Sequence, residues 1–207
     1  MPYKNLYLIG LTGNIACGKS TVIAMLRELG AQVIDADAVT HALQQPGQDV
    51  YRQIVAAFGT QILVSPNGPI NRPVLGAIVF SDPAQLKRLE QIVHPAVHAY
   101  IYQWLDVVAT ASDQPGVAVI DAIKLLEGGW KQVCDSIWVV TCPPEQQLMR
   151  LITTRGMEES EARRRITAQP AQSEKIAQAD VLIDNSGSLV EIQQQVRAAW
   201  QRACADC

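Results

Sequence analysis

The sequence predicts an α/β fold, a parallel five-stranded sheet flanked by helices. Three observations carry that prediction. Short apolar runs alternate with longer stretches of helical spacing, as a parallel sheet with crossover helices requires. The first of these runs ends in a glycine-bearing loop that opens straight into a helix. The 207 residues suffice for one full core with an inserted or appended lobe, at roughly 150 residues per domain.

Taken in order, residues 5–11 read as a compact strand. Residues 20–29 have helical spacing, with Val22, Met25, Leu26 and Leu29 on one face, and stop at Gly30, a fitting C-terminal glycine. Residues 32–34 form a second strand leading into Asp35-Ala36-Asp37. From there the pattern changes. Residues 38–111 carry helical periodicity without a convincing strand and read as a helical insertion, with turns at Pro46-Gly47 and at Ser65-Pro66-Asn67-Gly68-Pro69. Residues 83–93 and 95–111 read as two helices, each with a proline at or near its first turn. The runs 117–120, 137–140 and 181–183 complete the sheet. Residues 158–169 are polar, arginine-rich and short of an apolar face, the profile of a mobile flap. The expected division is a core of residues 1–37, 112–149 and 173–207, a helical substrate-binding insertion over 38–111, and a helical lid over 150–172.

Composition narrows the function classes. With 17 basic and 20 acidic residues the net charge is −3, so there is no basic excess to neutralise a nucleic-acid backbone. No apolar run approaches the roughly 20 residues that span a bilayer, and Met1-Pro2-Tyr3-Lys4 does not open a signal peptide. Cys17, Cys134, Cys142, Cys204 and Cys207 are an odd, scattered set rather than a disulfide framework. A cytoplasmic monomer with no nucleic-acid or membrane partner is expected.

The strongest chemical signal is Gly13-Asn14-Ile15-Ala16-Cys17-Gly18-Lys19-Ser20, followed by Thr21, a full match to G-x-x-x-x-G-K-[ST] between a strand and a helix. Phosphate binding needs several backbone N–H donors converging on one point. Glycines permit that backbone, and the helix N-terminus adds partial positive charge. Lys19 would meet the β/γ-phosphates, and the Ser20 hydroxyl would help hold Mg²⁺. A nucleoside triphosphate is the expected ligand. Asp35 and Asp37 follow the second strand at the sheet's carboxyl edge, where ligands of open α/β sheets bind. Either carboxylate suits two roles, N-cap of the next helix or acceptor of a hydroxyl proton.

Arg150, Arg155, Arg163, Arg164 and Arg165 suit phosphate oxygens, and a closing arginine-rich flap would exclude water from a transfer reaction. The same arginines have Glu158, Glu159 and Glu161 as helical partners. Asp121, ending the third strand, is a Walker-B-like metal carboxylate or a simple cap. His94-Pro95 marks a helix start or a ligand contact. Cys204-Ala205-Asp206-Cys207 has redox spacing but no βαβ context.

Phosphate loop, Asp-x-Asp, helical insertion and arginine flap are the parts of a small-molecule kinase. The chain resembles the dephospho-CoA kinase family over nearly its whole length. The resemblance lies in Gly10-Leu11-Thr12-Gly13 leading into Gly18-Lys19-Ser20-Thr21, in Val33-Ile34-Asp35-Ala36-Asp37, and in Ile70-Asn71-Arg72 and Val79-Phe80. It continues through Leu89-Glu90-Gln91-Ile92-Val93-His94-Pro95, Arg165-Ile166-Thr167-Ala168-Gln169 and Lys175 to Ala179-Asp180-Val181-Leu182-Ile183-Asp184-Asn185-Ser186-Gly187. It implies a P-loop kinase-type fold and Mg²⁺-dependent transfer of the γ-phosphate of ATP to the ribose 3′-hydroxyl of dephospho-CoA. It also implies that Asp37 is the catalytic base, that Arg72 and His94 lie on the CoA side, and that Asn185 lies near the adenine.

The chain departs from the family pattern at three places. Asp-x-Pro-Leu-Leu-x-Glu reads Asp121-Ala122-Ile123-Lys124-Leu125-Leu126-Glu127, which brings Lys124 forward as a phosphate contact on the substrate side. The lid start, usually Arg-x-x-x-Arg-Asp-Gly, reads Arg150-Leu151-Ile152-Thr153-Thr154-Arg155-Gly156. Asn14 replaces a loop glycine and Ala16-Cys17 replace Gly-Ser; asparagine tolerates the left-handed region comparatively well, so the loop is expected to form. Rival classes are another P-loop kinase of a nucleoside or small alcohol, and a GTP-dependent switch. The switch would need Asn-Lys-x-Asp, which the sequence lacks; the Asp-x-x-Gly strings at Asp113 and Asp184 arise readily by chance.

Overall fold

The computed structural model describes residues 3–111 and 114–205. Met1 and Pro2, Asp113 of the first Asp-x-x-Gly string, and Cys207 of the C-x-x-C pair lie outside the described residues.

The strand β1 (Leu6–Gly13) is buried on both sides, which explains its near-continuous apolar run. It pairs in parallel with β3 (Gly116–Asp121) on one side and β4 (Ser136–Thr141) on the other. Next to β4 lies β5 (Val181–Asp184), also parallel, and β2 (Gln32–Asp35) takes the opposite edge, giving the order β2-β3-β1-β4-β5. After β1 the chain runs to β2, returns to β3, and then crosses to β4. The direction of winding therefore reverses beside β1, the point at whose carboxyl edge open α/β sheets bind ligands and where the phosphate loop begins.

Alternation along β1 splits the core in two. Ile9 and Leu11 join Val119, Trp138 and Val140 in an apolar cluster. That cluster is closed by Val22, Met25 and Leu26 of α1 (Lys19–Glu28) and by Ile192, Val196 and Ala199 of α9 (Leu189–Ala205). The alternate positions face Leu125 and Ile137: a Cβ on Gly10 would come within 2.9 Å of both side chains, so a larger residue there would have to displace their methyl ends. Thr12, on that same side, is fully buried and donates to the Ile123 carbonyl.

The chain divides into two compact units, residues 35–106 and the remainder. The smaller one carries α2 (Ala36–Leu43), α3 (Asp49–Phe58), α4 (Arg72–Ser81) and most of α5 (Pro83–Thr110). Its nearest approach to a strand is a single antiparallel bridge, Leu63 to Ile70, across the turn that includes Asn67 at φ 57°. One expectation fails here. Residues 83–110 form one helix, not two, with Pro95 inside it. The buried residues Val93, Val97, Ile101 and Leu105 recur every fourth position through the proline and hold the helix on one face. Pro95 and Gln91, whose carbonyl loses its N–H partner, are both exposed.

The larger unit continues through α6 (Pro144–Arg155), α7 (Glu159–Thr167) and the short α8 (Gln172–Ile176). In α7 only Ala162 is buried. Arg163, Arg164 and Arg165 are exposed and pair with Glu159 and Glu161, so these three make helical ion pairs. Among the described residues no helix is long and apolar enough to cross a membrane.

The described cysteines are all free. Burial pushes the Cys17 thiol up to about 11 and that of Cys134 up to about 12, from an ordinary 9.0. An unfolded chain releases these protons at lower pH than the folded one does. The stability these two thiols contribute is therefore expected to be constant below pH 9 and to fall as pH rises from there through 11 and 12. Thermal unfolding followed from pH 8 to pH 10.5 checks this, and iodoacetamide at pH 8 should label both thiols only after unfolding.

Candidate active site

The phosphate loop links the end of β1 to the start of α1, and its backbone shows how it is held open. Cys17 N–H donates to the Asn14 carbonyl at 3.2 Å, closing a turn. Two residues are left-handed, Ala16 at φ 56° and Gly18 at φ 89°. Asn14 is not one of them, so its tolerance of that region is not drawn on. Its side chain is buried instead and donates to the Pro170 carbonyl at 3.3 Å. The strained position is Ala16, where a Cβ in the left-handed region costs about 1–2 kcal/mol.

No side chain caps α1; Thr21 N–H donates to the Gly18 carbonyl at 3.0 Å, and the positive end of the helix dipole stands at the loop. Lys19, the first helical residue, points its ammonium to Asp121 at the end of β3, with which it forms an ion pair; the two side chains are 16% and 6% exposed. Asp121 thus stands beside the phosphate loop rather than merely ending a strand. Ser20, next along α1, is exposed.

Two segments far along the chain brace the loop from behind. Asn185, 4% exposed and just after β5, donates from Nδ2 to the Cys17 carbonyl at 2.6 Å. Arg150 of α6 donates to the Ala16 carbonyl at 3.3 Å and to the Asn185 carbonyl at 2.9 Å. Occupying the loop's carbonyls turns its N–H groups the other way, and the guanidinium adds positive charge. The fit is close. A Cβ on Gly18 would lie 1.7 Å from Asn185 Nδ2, in a backbone region that disfavours any side chain. Gly18→Ala is therefore expected to displace Asn185, to lower stability by at least about 1–2 kcal/mol from the backbone alone, and to abolish tight nucleotide binding. Thermal unfolding and a fluorescent ATP titration measure the two effects.

The structure brings Lys19, Asp121, Arg150 and Asn185 together with residues 13–21. Arg155 ends α6, exposed, with no hydrogen bond to the loop among the described residues. Lys124 lies exposed three residues beyond Asp121. The smaller unit carries the remaining candidates. Asp35 is the N-cap of α2, its Oδ1 accepting from Ala38 N–H at 2.9 Å. Asp37 lies exposed in the first turn of that helix. Arg72 starts α4, and His94 stacks on His98 along α5, ring centroids 6.5 Å apart.

Sequence reasoning gave no role to two polar side chains of this site. Lys175 of α8 is 3% exposed and donates to the Ile123 carbonyl at 2.7 Å, tying α8 to the segment after β3. Gln169 accepts from Ile15 N–H at 2.7 Å. Both stand in motifs that the sequence displays, but the motifs alone say nothing of their partners.

A family model for dephospho-CoA kinase matches residues 7–191, most of both units. The chain belongs to the dephospho-CoA kinase family. A dephospho-CoA kinase of Symbiobacterium thermophilum is 49% identical over 197 residues, 95% of this chain and 81% of the relative. Among solved structures, a Thermus thermophilus protein is 30% identical with a TM-score of 0.79, over 94% of this chain and 96% of its own. A dephospho-CoA kinase from Campylobacter jejuni, 25% identical with a TM-score of 0.66, is covered in full by 98% of this chain. The P-loop kinase-type fold and the phosphotransferase class follow from this membership.

Proposed function

We propose that the protein transfers the γ-phosphate of ATP to the ribose 3′-hydroxyl of dephospho-CoA, giving CoA and ADP. The observation that carries this reading is the span of the family match. It runs from the phosphate loop through the smaller unit to the Asn185 segment, so it includes the residues after Asp37 where an acceptor is chosen. A shared phosphate loop alone would leave the acceptor open.

In this reading Gly13, Asn14, Ile15, Ala16, Cys17, Gly18, Lys19, Ser20 and Thr21 bind the phosphates, with Arg150 and Asn185 fixing the loop. Lys19 exchanges its partner, from the Asp121 carboxylate to the oxygens of the transferring group, and stabilises charge there. Asp37 orients the acceptor hydroxyl and takes its proton. Arg72, His94 and Lys124 serve the diphosphate-bearing acceptor, and Arg155 joins them on the ATP side. The donor set also fits Mg²⁺. That ion keeps several waters and needs only one or two protein oxygens beside phosphate. Ser20 and Asp121 supply a hydroxyl and a carboxylate, and no cluster of three or more His, Cys, Asp or Glu exists among the described residues. Bound there with ATP, the ion would neutralise phosphate charge. A cytoplasmic monomer accords with a soluble kinase of this kind.

The test is a coupled ADP-release assay with dephospho-CoA, adenosine, pantetheine and water as acceptors. Dephospho-CoA should be preferred strongly over the other three; equal rates with water would reject the reading.

Residues 150–172 are proposed as a lid. In α7 only Ala162 is buried, and among the described residues its exposed arginines pair along their own helix. Hydrogen exchange in this segment should slow when a nonhydrolysable ATP analogue binds, and equal exchange with and without the analogue would leave it a surface helix.

A further inference from the structure

One hydrogen bond in the phosphate loop has no part in the reaction as described so far. Ile15 N–H donates to Oε1 of Gln169 at 2.7 Å, across 154 residues of sequence. In this fold the helix end of the loop cradles the inner phosphates and Lys19 reaches outward to the last one. Asn14, Ile15 and Ala16 form the other limb of the loop, ahead of its helix end. There a backbone donor of the loop is satisfied by a neutral carboxamide brought in from the end of the lid.

A carboxamide held at its oxygen has a fixed plane, and its nitrogen carries two N–H donors on the other arm. Nε2 of Gln169 makes no hydrogen bond within the described residues, while Oε1 is engaged. The group therefore turns one loop N–H into two, shifted outward by the width of an amide. A second bond keeps it in register. Asn14 Nδ2 donates to the carbonyl of Pro170, the next residue, so the backbone at 169–170 is tied to the loop independently of the glutamine side chain. Asn14 is 8% exposed, and its Nδ2 is sheltered from competing water.

Resting on the kinase reading, we infer that Gln169 is a catalytic residue, its Nε2 donating to the γ-phosphoryl oxygens while Ile15 N–H holds its Oε1. No bond to Gln169 forms or breaks; it contributes a preorganised neutral donor where charge develops, as the loop amides do. Because it stands just after α7, its arrival would couple lid position to the chemistry.

The experiment compares wild type, Gln169→Glu and Gln169→Met by kcat and KM for transfer to dephospho-CoA, with thermal unfolding alongside. Gln169→Glu keeps an acceptor for Ile15 N–H but has no donor. Gln169→Met is neutral and of similar length, with neither. The inference expects kcat to fall about 100-fold or more in both, the loss typical of one preorganised donor, with KM for ATP changed far less and unfolding midpoints near wild type. If Gln169→Glu keeps kcat within about threefold, the side chain is only a tether and the inference is overturned. If Gln169→Met does so, any loss in Gln169→Glu comes from its charge, and the inference is overturned equally. A wild-type protein that transfers nothing to dephospho-CoA would overturn the kinase reading itself, whereas an active wild type with active variants overturns this inference alone.

Discussion

Replacing Lys19 with alanine is expected to lower kcat for phosphoryl transfer by about 10³-fold or more, since this chemistry rests on electrostatic stabilisation and removal of a single preorganised donor typically costs 10²–10³. Two features of the structure sharpen the expectation. Lys19 is the first residue of an uncapped helix N-terminus, so its ammonium and the helix-end N–H groups converge on the same space. Its partner Asp121 is nearly buried, so the ion pair fixes where the ammonium stands beside the phosphate loop. The check is steady-state kinetics with ATP and dephospho-CoA beside a thermal-unfolding control. A variant that keeps more than about a tenth of wild-type turnover would remove Lys19 from the mechanism.

Asp37→Asn carries the second large effect. It keeps the shape of the side chain and removes the proton acceptor, so kcat should fall by about two to four orders of magnitude, the range for loss of a general base. The affinity for ATP should barely change, because the phosphate loop is built without Asp37. Asp35→Asn provides the contrast. Asp35 caps α2 through Ala38 N–H, and asparagine caps about as well, so the change should cost a few tenths of a kcal/mol and leave turnover intact. Measuring transfer and unfolding on the pair of variants separates base from cap. An inactive Asp35→Asn beside an active Asp37→Asn would reverse the assignment.

Between them these two residues show how unevenly sequence speaks. That one of the two aspartates caps a helix is a local matter of three residues, and sequence limited it to the pair; the bond from Ala38 N–H to Asp35 chose. The phosphate loop was readable at once, because glycine spacing and a following helix are constraints within eight residues. The sheet was equally plain, since strands buried on both faces must be continuously apolar. Where local pattern misled, a longer-range term had overruled it. Pro95 looked like a helix start, yet the four-residue stripe of Val93, Val97, Ile101 and Leu105 carries the helix through it. Asn14 stands where the family carries a loop glycine, without needing a glycine's backbone. Its amide is instead drawn to Pro170, and Ala16 takes the strain.

The sequence by itself determined the fold class, the phosphate loop and the family, because each is written in short-range spacing or in the order of motifs. The tertiary structure alone decided which side chains meet that loop: Asp121 on Lys19, Asn185 on Cys17, Arg150 on Ala16 and Gln169 on Ile15. These partners lie between 102 and 168 residues apart. Their meeting depends on the strand order that brings the ends of β3 and β5 and the start of α6 around the end of β1. A hydrogen bond needs its atoms within about 3 Å, and no propensity of an isolated segment fixes a distance across that much chain.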